Sequence, residues 1–229
     1  MSEEATVARK PVWSVVLAGG RSERMGRPKA LLPLGEGTIL SWTCGILASE
    51  SRVVVVANPD TREAVEAALR GADAPTGAPE TRDVPGADPG GPAALVVNPR
   101  PEDGMFSSVR LGLARVGDAG AVLVTPVDCV PEGAGVMRAL LRAWEAEPSL
   151  SRVLVPVVGA GQRGHPVLIP GPCIAALLAM PDCTRFSEAL ESVGVAQVPV
   201  SDRWILLNVN TPDDYNRLLE RHAAAGGRP

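Results

Sequence analysis

Residues 12–29 read VWSVVLAGGRSERMGRPK. The first six, VWSVVL, form an apolar run with β-branched content. That is the pattern of a strand buried on both faces, as in a parallel sheet. The run opens into a glycine-rich loop, residues 18–29, which carries Gly19, Gly20 and Gly26 beside Arg21, Arg24, Arg27 and Lys29. Whether this strand starts a doubly wound sheet depends on what alternates with it downstream.

The alternation is there. A helix is expected over 38–50 with Thr38 as N-cap, then a strand at 52–57 (RVVVVA) and a helix over 61–70 capped by Asp60. Residues 71–92 hold five Gly and five Pro, which no regular element survives. A domain linker is one reading. A flexible surface insertion with a mobile tip is preferred, because strand and helix resume unchanged after it. Strands follow at 94–97 and 121–126, with helices over 105–116 and 132–146. Two further strands, 152–158 and 166–169, flank a turn at Gly159–Gly161. Short helices over 171–180 and 184–192 and strands at 195–199 and 204–209 precede a last helix. Thr211, Pro212, Asp213 and Asp214 open it with a cap, a first-turn proline and two acids. The order predicts an α/β fold: a mostly parallel, doubly wound sheet with a small antiparallel extension. A single domain over 12–222 is expected, with tails at 1–11 and 223–229.

Composition narrows the function classes. The 229 residues suit one α/β domain or two small ones, and 45% hydrophobic content supports a sizeable core. Only seven aromatic residues serve all purposes, and the net charge is −4, which argues against a nucleic-acid partner. No apolar run approaches the roughly 18–20 residues of a membrane span, and residues 1–10 are too polar for a secretory signal. Cys44, Cys129, Cys173 and Cys183 form no C-x-x-C pair, so reduced thiols and a cytoplasmic location are expected. Of 22 basic residues only Lys10 and Lys29 are lysines, so a lysine within a loop motif is less readily a casual surface charge.

In doubly wound sheets the ligand lies beyond the carboxyl ends of the strands. After the first strand, three glycines offer backbone N–H groups to an anion, and the four cations suit a triphosphate of charge about −4. A solvated turn with scattered arginines is the alternative. After the strand at 121–126, Asp128 is either the cap of the next helix or a Mg²⁺ ligand, and the shared crevice favours the second. After the third strand, Gly104, Ser107 and Ser108 stand where a helix begins, as ordinary capping or as readers of a base or phosphate. Asn208 and Asn210, at alternate positions of the expected 204–209 strand and its end, point to one face, for a polar ligand or a metal or simply as an edge strand turning into a cap. His165, beside Pro166, is more often structural than catalytic in such a turn, and His222 is expected to be solvated.

Together these segments form a resemblance. LAGGxSxRMGxPK over 17–29, followed by LLPLG, is similar to the signature of nucleotidyltransferases with a GT-A-like, Rossmann-like three-layer fold. GMxSSxRxG over 104–112, the acid Asp128, RGHPVL over 163–168 and NxNTPDD over 208–214 resemble the MobA/MocA group, which attaches a nucleotide to molybdopterin. The resemblance implies an NTP (CTP or GTP) and Mg²⁺. It puts the base and ribose against Leu17, Ala18, Gly19 and Gly20, and the triphosphate against Arg24 and Lys29. Gly104, Ser107 and Ser108 would contact the nucleoside. Asp128 would bind Mg²⁺ with Asn208 or Asn210 close by, and Arg163 and His165 would lie on the acceptor side. AGG at 18–20 resembles guanylyl-transferring members, whereas the GMxSS and RGHP segments resemble cytidylyl-transferring ones. The 71–92 insertion is not a standard feature of the group.

The implied reaction is an in-line attack by a phosphate oxygen of the acceptor on the NTP α-phosphorus, driven by positioning and charge rather than a covalent intermediate. Lys29, Arg24 and Asp128 would carry it. Two other readings remain open at this point. One is a sugar-phosphate or other small-phosphate nucleotidyltransferase. The other is a non-catalytic, chaperone-like molybdopterin-binding protein. A molybdoenzyme or chaperone partner would fit either molybdopterin reading.

Overall fold

The computed structural model describes residues 10–20, 26–70, 93–147, 149–181 and 184–226. The expected 71–92 insertion, Arg21, Arg24 and Cys183 lie outside them.

The chain begins with β1 (Val12–Leu17), whose residues alternate between the two sheet faces. A 3-10 turn, Lys29–Leu31, leads to a small hairpin, β2 (Pro33–Leu34) and β3 (Gly37–Thr38). Then α1 (Ile39–Ala48) starts at Thr38. Thr38 Oγ1 accepts from the Ser41 N–H, and Ser41 Oγ accepts from the Thr38 N–H, so two orphan donors are met reciprocally. The expected β4 (Arg52–Ala57) and α2 (Arg62–Arg70) follow. The cap between them is Asn58, not Asp60. Asn58 Oδ1 takes the Thr61 N–H, and Pro59–Thr61 form a 3-10 turn that carries the chain into α2. Next come β5 (Ala94–Val97), α3 (Met105–Val116), β6 (Ala121–Pro126), α4 (Gly135–Ala146), β7 (Val153–Val158), β8 (Gln162–Arg163) and β9 (Val167–Pro170). The chain ends with α5 (Gly171–Leu178), α6 (Phe186–Val193), β10 (Val195–Pro199) and α7 (Pro212–Ala224).

Seven strands of the main sheet lie in the order β10-β7-β9-β6-β1-β4-β5, and β8 pairs with the end of β7. β1 runs parallel to β4 and β6, β4 to β5, and β7 to β10. The antiparallel part is β9, between β6 and β7, and the β7–β8 hairpin. Leu17 lies level with Val56 on one side and Pro126 on the other, so β1, β4 and β6 end at one edge. That register places the three loops after them side by side.

Side chains of α1, α2, α4 and α7 pack on one face of the sheet with Val16, Val53, Val55 and Leu123. Those of α3, α5 and α6 pack on the other with Val15, Val54, Val56 and Val124. The result is a three-layer α/β/α arrangement. Ser14, the one polar residue of VWSVVL, is fully buried. Its Oγ lies 2.6 Å from Ser51 Oγ, and Ser51 Oγ in turn donates to the Leu47 carbonyl. Among the described residues no helix is long and apolar enough to cross a membrane.

The expected strand at 204–209 does not form. Asp202 accepts from the Trp204 N–H, which turns the backbone into a 3-10 helix, Arg203–Leu206. Ile205 is thereby buried, and its carbonyl approaches Gly164, where a Cβ would lie 2.4 Å from it. The conformation of 207–211 therefore owes nothing to strand periodicity.

Gly112 marks how closely α3 approaches the sheet: a Cβ there would stand 2.4 Å from Val15 Cγ1. Gly112→Ala should therefore destabilise the fold by about 1–3 kcal/mol through overpacking. Gly45→Ala, in α1 with open space where a Cβ would stand, should instead stabilise by about 0.5–1 kcal/mol. Urea denaturation of both variants checks the pair, and equal shifts would contradict the close approach.

Candidate active site

The loops after β1 and β6 meet. Lys29 leads the 3-10 turn that follows the glycine-rich loop, and its Nζ donates to Asp128 Oδ2 at 3.0 Å and to Asn210 Oδ1 at 2.6 Å. The Lys29 side chain is 15% exposed and that of Asp128 23%, so solvent screens the attraction less than at an open surface. One of only two lysines in the chain thus joins three segments that are 99 and 181 residues apart in sequence.

The acid-bearing loop is fixed through its carbonyls. Val209 N–H donates to the carbonyl of Asp128, the Arg221 guanidinium to that of Val130, and Trp42 Nε1 to that of Pro131. Arg221 is buried in α7, with its guanidinium 4.8 Å from the centre of the Trp204 ring. Burial lowers its pKa, but a guanidinium keeps its charge. His222, expected to be solvated, packs edge-on against Trp42 with ring centres 4.5 Å apart, and its Nε2 is buried. α7 is thus docked on α1 and on the loop after β6.

Asn210 is set by the start of α7. Asp214 Oδ2 accepts from the N–H groups of both Asn210 and Thr211, and Thr211 Oγ1 accepts from Asp214 N–H. The Thr211 hydroxyl also donates to Asp214 Oδ2, and that bond above all, with the two backbone N–H groups, favours the ionised form and lowers the Asp214 pKa. The amide oxygen of Asn208 takes the thiol of Cys129. Burial pushes that thiol's pKa well above its ordinary value, so it stays protonated and serves as a donor.

Beside the lysine–acid pair lies a cleft of about 220 Å³. Leu17, Ala18, Gly19 and Gly20 form one wall, and Gly104 and Ser108 the opposite one, with Lys29 and Asp128 also lining it. Ser107 is oriented differently. Its hydroxyl donates to the Gly104 carbonyl and lines a separate cavity with Asn98 and Arg110.

Two asparagines outside the sequence motifs brace these walls. Asn58 Nδ2 donates to the Gly19 carbonyl at 3.1 Å. Asn98 Nδ2 donates to Ser107 Oγ and Ser108 Oγ, both at 2.9 Å. The sequence carried a signal for them: each follows a parallel strand directly and precedes proline, Asn58-Pro59 and Asn98-Pro99. For Trp42 and Arg221 no local signal existed, since their partners are remote in sequence.

Arg163 and His165 do not line the cleft of the lysine–acid pair. They line a neighbouring cavity of about 610 Å³ with Phe106, Phe186 and Arg185. Arg163 pairs with Glu191. Burial lowers the His165 pKa from its ordinary value and so favours the neutral ring, although a hydrogen bond to the Val124 carbonyl and the charge of Asp128 oppose it.

A lysine facing an acid beyond the carboxyl ends of a mostly parallel sheet fits the nucleotidyltransferase class. Known proteins place the chain more narrowly. Residues 14–198 match the MobA-like NTP transferase domain, and the chain belongs to that family. It is 24% identical to the molybdenum cofactor cytidylyltransferase of Escherichia coli, over 91% of this chain and 95% of that protein. It is 28% identical to a probable molybdenum cofactor guanylyltransferase of Rhodopirellula baltica, over 90% and 91%. Among solved structures it is similar to Rv0371c of Mycobacterium tuberculosis in complex with manganese. That likeness has 25% identity and a TM-score of 0.65, covering 93% of this chain and 99% of that one.

Asn98→Ala removes the donor shared by Ser107 and Ser108. A loss of about 1–3 kcal/mol in urea denaturation is expected for the hydroxyls left without it. The KM for NTP should rise, because Ser108 loses its orientation. A variant with unchanged stability and KM would show that Asn98 does not brace that wall.

Proposed function

We propose that this enzyme transfers a nucleoside monophosphate from an NTP, CTP in preference to GTP, to the phosphate of molybdopterin or its molybdenum form in the cytoplasm, releasing pyrophosphate. The observation that carries the reading is the contact of Lys29 with both Asp128 and Asn210 beside a cleft walled by glycine backbone. The choice of CTP is supported by the GMxSS and RGHP segments, which are similar to those of cytidylyl-transferring members.

In this reading the backbone of 17–20 and the Ser108 wall receive the nucleoside, with Gly104 and Ser107 at the same helix start. Lys29 and Arg24 hold the triphosphate. An acceptor phosphate oxygen attacks the α-phosphorus, a new P–O–P bond forms, and the α–β bridge breaks with its electron pair leaving on pyrophosphate. That oxygen is already anionic near pH 7, so no general base is needed. Lys29 follows the charge that develops on the bridging oxygen. Arg163 and His165 flank the acceptor, and burial favours the neutral form of the His165 ring.

The donor set suits Mg²⁺. Asp128 offers one hard carboxylate and Asn210 an amide oxygen, and Mg²⁺ takes one or two protein oxygens and completes its shell with phosphate and water. Among the described residues no three His, Cys, Asp or Glu side chains converge. Asp128 would hold the ion with Asn210 or Asn208 nearby, and when bound it would neutralise α-phosphate oxygens.

Pyrophosphate release, measured with each of the four NTPs, Mg²⁺ and molybdopterin, tests the reading. CTP should give the highest kcat/KM, and release should stop when EDTA removes the divalent ion. No release with any NTP would sink the proposal. Lys29→Ala and Asp128→Ala should each lower turnover by about 10²–10³-fold with the fold intact by circular dichroism. Near-wild-type turnover at saturating NTP and Mg²⁺ would remove that residue from the reaction.

A further inference from the structure

Met105 is 50% exposed, and among the described residues only Leu219 is another exposed large hydrophobic side chain. It opens α3 directly after Gly104, whose φ of 96° favours glycine. Exposure of a single apolar side chain is ordinary. The place of this one is not: Met105 lines both the 220 Å³ cleft and the 610 Å³ cavity, and only Gly104 shares that position with it. The two spaces differ in character. The first has the lysine–acid pair and glycine backbone, and the second has Phe106, Phe186, Arg163 and Arg185.

We infer that Met105 is a positioning residue touched by both substrates, a shared wall against which the nucleoside packs from one side and the acceptor from the other. The inference rests on the nucleotidyl-transfer reading above. That reaction requires the acceptor phosphate and the α-phosphorus to touch, so the two ligands must meet where the cavities adjoin. Met105 stands at that junction. An unbranched thioether adapts its shape to the ring systems it meets. Met105 is half exposed and flexible, so the first ligand to pack against it orders the side chain and the second binds without that cost, which makes each ligand strengthen binding of the other, reciprocally. Gly104 supplies the turn that brings the side chain to the junction without adding bulk of its own.

Steady-state pyrophosphate release by the full chain tests this, with CTP and molybdopterin varied in turn at fixed Mg²⁺. M105A should raise the KM for each substrate by about fivefold, the loss of part of a buried side chain split between two ligands. The effect should fall on the two KM values rather than on kcat, and M105L should recover most of it. Unmoved KM values overturn the inference, and so does a rise in only one of them. Calorimetric titration of α,β-methylene CTP, with and without molybdopterin, reads the same contact without turnover. Wild type should bind the analogue more tightly when molybdopterin is present, and M105A should lose that difference. Equal affinity in wild type with and without molybdopterin overturns the shared wall. Cooperative binding without pyrophosphate release supports the wall and sinks the nucleotidyl-transfer reading instead.

Discussion

The contact of Lys29 with Asp128 and Asn210 is what the rest of the architecture serves. A partly buried ammonium beside a carboxylate is held only if the chain brings both to the same few ångströms and leaves few alternatives. The parallel register does the first part, because β1 and β6 end level at Leu17 and Pro126. The hold on the 128–131 loop does the second. Its carbonyls accept from Val209, Arg221 and Trp42, so the acid cannot drift without breaking bonds to three other parts of the molecule.

The glycine-rich wall and the serine wall are built by the same device used twice. A parallel strand ends, an asparagine follows, and its amide reaches sideways to the neighbouring loop. Asn58 takes the Gly19 carbonyl and Asn98 takes the two serine hydroxyls. Proline after each asparagine disfavours a helix at that point and keeps the side chain at the strand end. The walls of the cleft beside the lysine–acid pair are therefore fixed by polar bonds, and the neighbouring cavity combines Phe106 and Phe186 with charged side chains such as Arg163 and Glu191.

Much of this was legible in the sequence, for physical reasons that can be located. The strands at 12–17, 52–57, 94–97 and 121–126 are dense in valine and leucine and stand alone between helical segments, so periodicity found them. Thr211-Pro212-Asp213-Asp214 announced α7, because capping is local chemistry. The strand expected at 204–209 failed because the Asp202 side chain outcompeted an apolar pattern too short to hold it. Asn208 and Asn210 were nevertheless brought to the acid, through Cys129 and the α7 cap rather than through strand alternation. The pairing of Lys29 with Asp128 followed only from the rule about strand ends. Trp42 and Arg221 were invisible, since each acts on a loop about ninety residues away.

Asn210 comes late in the order of synthesis, after the lysine, the acid and both cleft walls. A nascent chain that has reached only β10 already owns the lysine and the acid, but not the amide oxygen that shares the lysine or the arginine that braces the acid's loop. The partners of the lysine and the brace on the acid's loop are therefore complete only once the closing helix has docked.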